Sequence, residues 1–403
     1  MKLHWQIFTA LVLGAGCGIL FPGAVPAVSW IGVLFMNALS MIIVPVIFFS
    51  IVTAIAGFRE KGESLKKLGI RTVIYYVVTM LIAILTGLSL VNLIKPGRNV
   101  QVGNIAVLPD NLTAATSLQD IIVGFIPKNI FYAFTQNNTL PVILIAFLIG
   151  LNLSKISAEG RQSLTSLFKG GLELTLRIMK IIIRLSPIGI FAIVAAPFGA
   201  TNDFRTLIQT ILLYFLTVAG GLTIHTFVWL PLLLRFGYRV KPGQHLKNML
   251  TPLLTAFSTA SSGATLPLTM YAVEHKDGVS AKITNFTIPL GAAINMDGTA
   301  LLECVAVIFI AQAYGVELSV VQQILIAFTS LLCAIGAAGI PMAALVMMTL
   351  ILNVLELPLE GIGLVIGVDR ILDMMRTAVN VYGDTCVAVM VAKSEGEKLG
   401  IDR

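Results

Sequence analysis

Charged side chains are scarce in this sequence. Asp, Glu, Lys and Arg make up only 12% of the 403 residues, whereas soluble domains average about 25%. Hydrophobic residues account for 57%. This balance excludes an ordinary soluble domain and predicts an all-α polytopic membrane protein. The net charge of +7 does not indicate nucleic-acid binding, because the basic residues are scattered through short loops.

Cysteine and histidine are also few, with four of each. The cysteines lie in apolar stretches without a CxxC pattern, which predicts buried thiols rather than disulfides or metal ligands. These are Cys17, Cys304, Cys333 and Cys386. An enzyme would need a nucleophile with a base, or a metal set, and no histidine lies near a polar cluster in the sequence. We expect His225, inside an apolar run, to be a satisfied buried histidine rather than a catalytic one. The others are expected in loops or at interfaces: His4, His245 and His275.

Long apolar runs dominate the chain. About 20 apolar residues suffice to span a bilayer, and several runs are longer, so they should be tilted or broken. The first run follows Lys2 and has no polar cleavage region, which indicates a retained span rather than a removed signal peptide. The eight predicted spans are 5–22, 28–58, 68–94, 115–153, 165–198, 204–234, 279–313 and 359–392.

Basic residues divide the loops between two sides. One set of loops is rich in them: Arg59, Lys61, Lys66, Lys67, Arg71, Arg235, Arg239, Lys241 and Lys247. The alternate loops carry few, such as Lys95, Arg98 and Arg205. The positive-inside rule assigns the rich loops to the cytoplasm. This predicts an integral protein of the plasma (inner) membrane with both termini cytoplasmic.

Two further apolar segments, 244–273 and 318–357, do not fit this alternation. Each has two apolar arms joined by a tip of small or polar residues, at 258–267 and 334–341. If each segment crossed the membrane once, the later loops would break the charge rule, so we predict two re-entrant hairpins. Half-helices that begin at such tips aim their N-terminal dipoles at the midplane, which favours an anion. A kinked ordinary span is the alternative for either segment.

A charged stripe interrupts the last apolar span. Asp373, Thr377, Asn380 and Asp384 fall at helical spacing and share one face, with Arg376 one turn from Asp373. A charged residue at a helix centre costs at least ~2.5–3.5 kcal/mol on insertion scales. These side chains must therefore pair, line a cavity or bind a ligand. The uncharged ligand-type groups favour a functional site over an ion-pair network that only holds helices together.

A second polar cluster, Asn295-Met296-Asp297-Gly298-Thr299, lies in the span 279–313. An Asn-x-Asp-Gly run breaks a helix locally and frees backbone carbonyls. Carbonyl, amide and carboxylate oxygens suit a hard cation, and the lack of a rigid carboxylate cage favours a monovalent one. Asn380 and Asp384 would complete the ligand set between two helices. The alternative is that the buried amides only bond neighbouring helices together.

Together these motifs resemble the glutamate/aspartate transporter family of dicarboxylate–cation symporters. Four motifs coincide in order, most densely from about 250 to 392. They are the tip ending Ala264-Thr265-Leu266-Pro267, the 295–299 cluster, the Gly336-Ala337-Ala338-Gly339-Ile340-Pro341 tip and the 373–384 stripe. The resemblance implies a homotrimer with inverted repeats and an elevator fold. A scaffold part would hold 1–67 and most of 95–240 (spans four and five), and a mobile transport part would hold 68–94, span six and 241–403.

The resemblance also implies a function, which is secondary active uptake of L-aspartate or L-glutamate coupled to Na⁺, with coupling to H⁺ as a further expectation. Substrate would sit between the two hairpin tips and the broken seventh and last spans. Arg376 would hold the side-chain carboxylate, because a guanidinium forks onto a carboxylate and stays charged. Asp373 would take the amino group, and Asn380 the α-carboxylate. The remaining implied substrate residues are Ser261, Ser262, Thr299, Thr377 and Gly339. No organic cofactor is implied.

Three sodium sites are implied as well. The first would use Asp384 with carbonyls of Gly291, Asn295 and Asn380. The second would use carbonyls of Ala293, Ala334, Ile335 and Ala337. The third would use Tyr76, Thr79, Asn295 and Asp297.

Two positions depart from the family pattern by lacking an arginine. Ala260 and Met374 stand where archaeal and animal members, respectively, carry an arginine. Arg370 either substitutes electrostatically for the missing arginine or points away from the site.

Met80 follows Thr79 at a position where the family often has a hydroxyl residue. This difference is expected to weaken the third sodium site.

Glu303 stands at a position that is often glutamine in archaeal members and is glutamate in animal members, where it carries a proton. Burial in an apolar span disfavours a charged carboxylate, so we predict that Glu303 carries a proton with substrate. The alternative is a permanently neutral acid that is hydrogen-bonded to a neighbouring helix.

Three other functions stay open at this point. An ion channel would need a ring of repeated ligands and a continuous pore. A C4-dicarboxylate:cation symporter would need Arg376 but would have no use for Asp373 as an ammonium partner. A purely proton-coupled glutamate symporter would need no sodium ligands. Glutamate and aspartate are not ranked by the sequence, because one methylene shifts binding by only ~1–3 kcal/mol.

Overall fold

The computed structural model describes residues 3–58, 62–98, 100, 123, 126–135, 139–153, 155–200, 203–336, 343–355 and 357–402. These residues are helical apart from turns, short connections and one isolated bridge between Val240 and Asp402. Four of the described helices are long and apolar enough to cross a membrane, or five if the helices 158–184 and 186–199, bent by 57°, form one span. The prediction of an all-helical chain with membrane-length helices is confirmed. The full count of eight spans and two hairpins stays a prediction.

The described helices follow the predicted order. They are Leu3–Leu20, Val25–Phe58, Gly62–Ile94, Ile130–Thr135, Thr139–Leu153, Ala158–Arg184, Ser186–Ala200, Phe204–Ile224, Leu230–Leu232, Pro242–Thr259, Ser262–His275, Ala281–Ile294, Asp297–Ala313, Val320–Gly336, Ala343–Val354 and Ile362–Ser394. Two π-helices, His225–Trp229 and Leu233–Gly237, extend the helix that begins at Phe204. The predicted span 115–153 falls partly outside the described residues. The predicted span 165–198 is divided near Pro187, because proline lacks the backbone donor that a continuous helix needs.

The helices pack in two groups. Helices up to residue 58 pack mainly with those from 139 to 200, whereas the 62–94 helix packs mainly with those from 204 onwards. Within the first group, Gly14 and Gly18 allow close contact with the 186–200 helix, since a Cβ at either would lie 2.6 Å from a backbone oxygen of that helix. Small residues spaced by four are typical of tightly packed membrane helices. The second group encloses the 297–313 helix, in which nearly every side chain is buried.

Several residues of the predicted cytoplasmic loops meet at one end of the bundle. Arg71 Nη1 donates to the carbonyl of Ser394 at 2.9 Å, and the backbone N–H of Lys241 donates to the carbonyl of Ile401 at 2.9 Å. These contacts place residues 71, 241 and 394–401 together, as the alternation of spans requires. The assignment of this end to the cytoplasm stays a prediction.

Each predicted hairpin consists of two helices that pack against one another, which favours a hairpin over a kinked span. In the first, Ala260 adopts a left-handed conformation (φ 48°) and its N–H bonds to the carbonyl of Ala256 at 2.8 Å, ending the first arm. Ser261 then caps the second arm, because its Oγ accepts from the N–H of Ala264 at 3.2 Å. The tip of the second hairpin, residues 337–342, lies outside the described residues.

The seventh predicted span is broken at Asn295 and Met296, between Ala281–Ile294 and Asp297–Ala313, as its Asn-x-Asp-Gly run predicts. The last span is one uninterrupted helix, Ile362–Ser394, so the expectation that it is broken was wrong. This helix contains no proline. Arg376, Asn380 and Asp384 of its polar stripe bond to residues of the broken span.

His245 is fully buried within the helix Pro242–Thr259, so the prediction that it lies in a loop was wrong. Its Nδ1 lies 2.7 Å from Asp277 Oδ2 and its Nε2 lies 3.1 Å from Thr385 Oγ1. The network joins the first hairpin to the last helix. His275 is exposed and stacks on Tyr271, whereas the side chain of His4 lies outside the described part of the chain.

Candidate functional site

Arg376 and Asp373 form an ion pair on one face of the last helix. Arg376 Nη2 and Nε lie 2.7 and 3.0 Å from Asp373 Oδ1. Arg376 Nη1 donates to Thr299 Oγ1 at 3.0 Å. The Arg376 side chain is only 8% exposed and that of Asp373 is 20% exposed. Both charges are thus held where water screens them little, and each can attract a substrate group of the opposite sign.

Arg370 reaches the same carboxylate from the outside. Its Nη1 lies 3.3 Å from Asp373 Oδ2, and its side chain is 51% exposed. This contact agrees with electrostatic substitution rather than with a side chain that points away. Exposed pairs of this kind contribute only ~0.2–1 kcal/mol, so Arg370 is a weak partner in comparison with Arg376.

Thr299 and Asn380 join the broken span to the last helix. Asn380 Nδ2 donates to Thr299 Oγ1 at 3.2 Å, and the N–H of Gly298 donates to Asn380 Oδ1 at 2.8 Å. The hydroxyl of Thr377 donates to the carbonyl of Asp373 at 2.7 Å. The structure therefore gathers these predicted substrate residues around the Arg376 guanidinium, across a separation of about 80 residues in the chain.

The first hairpin contains a helix N-terminus in the same group of helices. Ser262 begins the Ser262–His275 helix, which packs against the last helix. The first N–H groups of a helix have no partner within it and favour an anion. Ser261 uses its hydroxyl oxygen to cap Ala264, so its contribution to a carboxylate would come from its remaining hydroxyl proton. Gly339 lies outside the described residues.

Asp384 and Asn295 form the centre of the predicted first sodium site. Asn295 Nδ2 donates to Asp384 Oδ1 at 2.9 Å, and both residues are buried. A Cβ on Gly291 would collide with Asp384 Oδ1, so the absence of a side chain lets the carboxylate approach this backbone. The carbonyl of Gly291 accepts from the N–H of Asn295 at 2.7 Å, and the carbonyls that follow it at the C-terminal end of the 281–294 helix lack helical partners. These are oxygen ligands of the kind that sodium binds.

A second group of oxygens lies next to it, at the predicted third site. Thr79 Oγ1 lies 3.1 Å from Asp297 Oδ1 and 3.4 Å from Asn295 Oδ1. Tyr76 donates its hydroxyl to the carbonyl of Thr287 at 2.7 Å. Asp297 is fully buried. The structure thus brings together carboxylate, amide and hydroxyl oxygens from two elements that are about 215 residues apart.

His225 also belongs to this group, although no sequence pattern indicates it. Its Nε2 lies 3.1 Å from Asp297 Oδ2, and both side chains are fully buried. The expectation of a satisfied buried histidine is met for Nε2. Asp297 could not be predicted as its partner, because the two residues lie 72 positions apart in the chain.

The predicted second sodium site is described only in part. Ala334 and Ile335 lie in the last turn of the Val320–Gly336 helix, and Ala293 lies in the last turn of Ala281–Ile294. These two helices pack against each other, and their last carbonyls carry the negative end of each helix dipole. Ala337 falls outside the described residues.

Glu303 is fully buried in the 297–313 helix. Neither of its carboxyl oxygens has a hydrogen-bond partner among the described residues, so the alternative of a hydrogen-bonded neutral acid finds no support there. The 297–313 helix that carries Glu303 packs against the last helix and against the first arm of the second hairpin, Val320–Gly336.

An apolar helical bundle that buries an Arg–Asp pair beside a cluster of hard-cation ligands is typical of secondary transporters. Comparison with known proteins agrees. The model of the sodium:dicarboxylate symporter family matches residues 3–394, so the chain belongs to this family. This confirms the resemblance carried by the four motifs and defines a transporter rather than an enzyme.

Three curated relatives illustrate the similarity. The chain is 32% identical to the proton/sodium-glutamate symport protein of Bacillus caldotenax, over 98% of this chain and 95% of that protein. It is 32% identical to excitatory amino acid transporter 3 of Mus musculus, over 100% and 88%. It is also 32% identical to the proton/glutamate-aspartate symporter of Escherichia coli strain K12, over 98% and 93%.

Proposed function

We propose that the protein takes up acidic amino acids, L-aspartate or L-glutamate, by symport with Na⁺ and H⁺. The observation that carries this proposal is the Arg376–Asp373 pair with Thr299 and Asn380 around it. An acidic amino acid offers one ammonium and two carboxylates. Its side-chain carboxylate can take Arg376 and its ammonium can take Asp373, so each residue exchanges its present partner for a substrate group without leaving a buried charge unpaired.

The names of the relatives support the substrate class, since those three are glutamate or amino acid transporters. They leave the coupling ion open, because one name gives proton and sodium and another gives only proton. The oxygen clusters around Asp384 and Asp297 favour sodium. The buried, unpartnered carboxyl of Glu303 favours a proton in addition.

The proposal includes an elevator mechanism in a homotrimer of eight spans and two hairpins. Its support is the packing of the helices in two groups, with the described residues of the candidate site inside the group formed by 62–94 and the helices from 204 onwards. In this proposal that group moves as the transport part, and the helices before 59 and between 139 and 200 serve as the scaffold. Both termini would face the cytoplasm of an inner membrane.

The test is uptake into proteoliposomes while Na⁺, H⁺ and K⁺ gradients are varied one at a time. We expect radiolabelled aspartate or glutamate to accumulate when a sodium gradient is imposed, and a C4-dicarboxylate such as succinate to compete poorly. Strong succinate transport with no amino acid transport would replace the proposal by the C4-dicarboxylate alternative. Flux that dissipates gradients without stoichiometric coupling would indicate a channel.

Glu303→Gln is expected to flatten the pH dependence of uptake while leaving substrate exchange intact. If a proton moves with substrate, the competent form is the protonated one, so parental uptake should fall as external pH rises, by up to ~10-fold per unit. Glutamine keeps the size of the side chain but binds no proton. Initial rates from external pH 5.5 to 8.5 measure the effect. Glu317→Gln, an exposed change on a neighbouring loop, is the control and should keep the parental profile. An unaltered profile in Glu303→Gln would rule out this proton carrier.

A further inference from the structure

The carboxylate of Asp297 is divided between two environments. Its Oδ1 lies 3.1 Å from Thr79 Oγ1, within the oxygen cluster that also contains Asn295 Oδ1. Its Oδ2 lies 3.1 Å from His225 Nε2. Only one oxygen of the carboxylate therefore takes part in the cluster, and the histidine bonds to the other.

We propose that His225 is a positioning residue for the third sodium site, which holds Asp297 so that Oδ1 faces Thr79 and the ion. This inference rests on the proposed function, because it assumes that the ion is sodium. A carboxylate only accepts hydrogen bonds, so the proton of a neutral His225 lies on Nε2. Its Nδ1 has no hydrogen-bond partner among the described residues, so the bond to Asp297 is the polar interaction that this ring makes there.

The chemistry of histidine suits this role better than that of a cationic side chain. A neutral imidazole stabilises the charged carboxylate through one hydrogen bond but adds no positive charge. Asp297 consequently keeps its attraction for a cation. A lysine or arginine at the same place would neutralise the carboxylate and compete with the ion. The hydrogen bond also limits rotation of the carboxylate. Both side chains are fully buried, so bulk solvent does not offer Asp297 a replacement partner.

The backbone at this position departs from a regular α-helix. His225 is the first residue of a π-helix, His225–Trp229, in the middle of the sixth predicted span. Single π-turns inside α-helices often occur at functional sites, because they redirect a side chain. Here the imidazole of His225 contacts the carboxylate of Asp297 in the broken seventh span, and Thr79 of the third span contacts the other oxygen of the same carboxylate.

Three substitutions of His225 separate positioning from a structural role. His225→Gln places an amide N–H at about the reach of Nε2, whereas His225→Asn carries the same amide too short to reach Asp297, and His225→Leu has no donor. We expect Asn and Leu to raise the sodium concentration for half-maximal aspartate uptake by at least ~10-fold, and Gln by less than about threefold. The KM for aspartate at saturating sodium should change little in all three.

A merely structural role would lower the yield of folded protein or the maximal rate without moving the sodium dependence. Parental sodium dependence in the Asn and Leu variants, or equal damage by Gln and Asn, would overturn the inference. If Leu does not fold, the Gln and Asn pair decides, since both are polar amides. In an Asp297→Asn background the His225 changes should have no further effect on the sodium response. If uptake by the parent does not depend on sodium, the proposed sodium coupling and this inference both fail. If the parent depends on sodium but the His225 variants keep the parental sodium dependence, only this inference fails.

Discussion

Arg376→Cys is expected to abolish uptake of aspartate and glutamate. The guanidinium is nearly buried and bonds to Asp373 and Thr299. Without it, the side-chain carboxylate of a bound aspartate or glutamate would have no cationic partner in a site that is largely shielded from solvent. Removing one partner of a buried charge pair costs about 2–5 kcal/mol, which corresponds to roughly 30- to 4,000-fold weaker binding. Radiolabelled uptake at several substrate concentrations measures the loss. The smaller, neutral side chain is expected to admit a small neutral amino acid instead.

Arg370→Cys is the matched control for that experiment. Arg370 lies on the same helix and contacts the same Asp373, but its side chain is half exposed. Solvent screens such a pair, so we expect less than about fivefold weakening of aspartate uptake. Normal aspartate affinity in Arg376→Cys would contradict the assignment of Arg376 to the substrate side chain. Equal loss in both variants would indicate that Asp373 merely needs a cation nearby.

The polar stripe of the last helix could be predicted from the sequence because its members lie within one helix. Helical spacing places Asp373 and Arg376 one turn apart, and the structure pairs them directly. The break at Asn295 was equally visible, since its residues disfavour a helix locally. In each case the information is contained in a few consecutive residues.

Contacts between helices were beyond this kind of inference. His225 and Asp297 lie 72 residues apart, and His245 and Asp277 lie 32 residues apart. No periodicity relates residues on different helices, so a buried histidine in an apolar run carries no sign of its partner. The contact of Arg376 with Thr299 was anticipated only because the family resemblance placed both in one pocket.

The uninterrupted last helix shows a limit of the family resemblance. The resemblance implied a broken last span, whereas the helical spacing of its polar residues indicated a helix, and a polar side chain ends a helix only when it replaces backbone hydrogen bonds. Asn380 bonds instead to Thr299 and Gly298 on the neighbouring span. The helix therefore continues, and it presents its polar side chains in fixed register to the broken span.

Asp384→Asn is expected to weaken the coupling between sodium and substrate. Asp384 is buried, accepts a hydrogen bond from Asn295 and lies against the backbone at Gly291. An amide keeps the shape of the side chain but lacks the charge that offsets the dehydration of a cation. We expect the sodium concentration for half-maximal substrate binding to rise at least ~10-fold. Because coupling between two ligands is reciprocal, substrate should then raise sodium affinity less than it does in the parent.

Equilibrium binding of aspartate at a series of sodium concentrations, and of sodium at a series of aspartate concentrations, measures both halves of this coupling. Asp402→Asn makes the same chemical change in the segment that follows the last helix, where Asp402 pairs with Lys393, and it should leave the sodium response unaltered. A parental response in Asp384→Asn would remove this residue from the cation site. Sodium-independent binding and transport in the parent would instead favour pure proton coupling, since the oxygen cluster around Asp384 would then hold helices together without holding an ion.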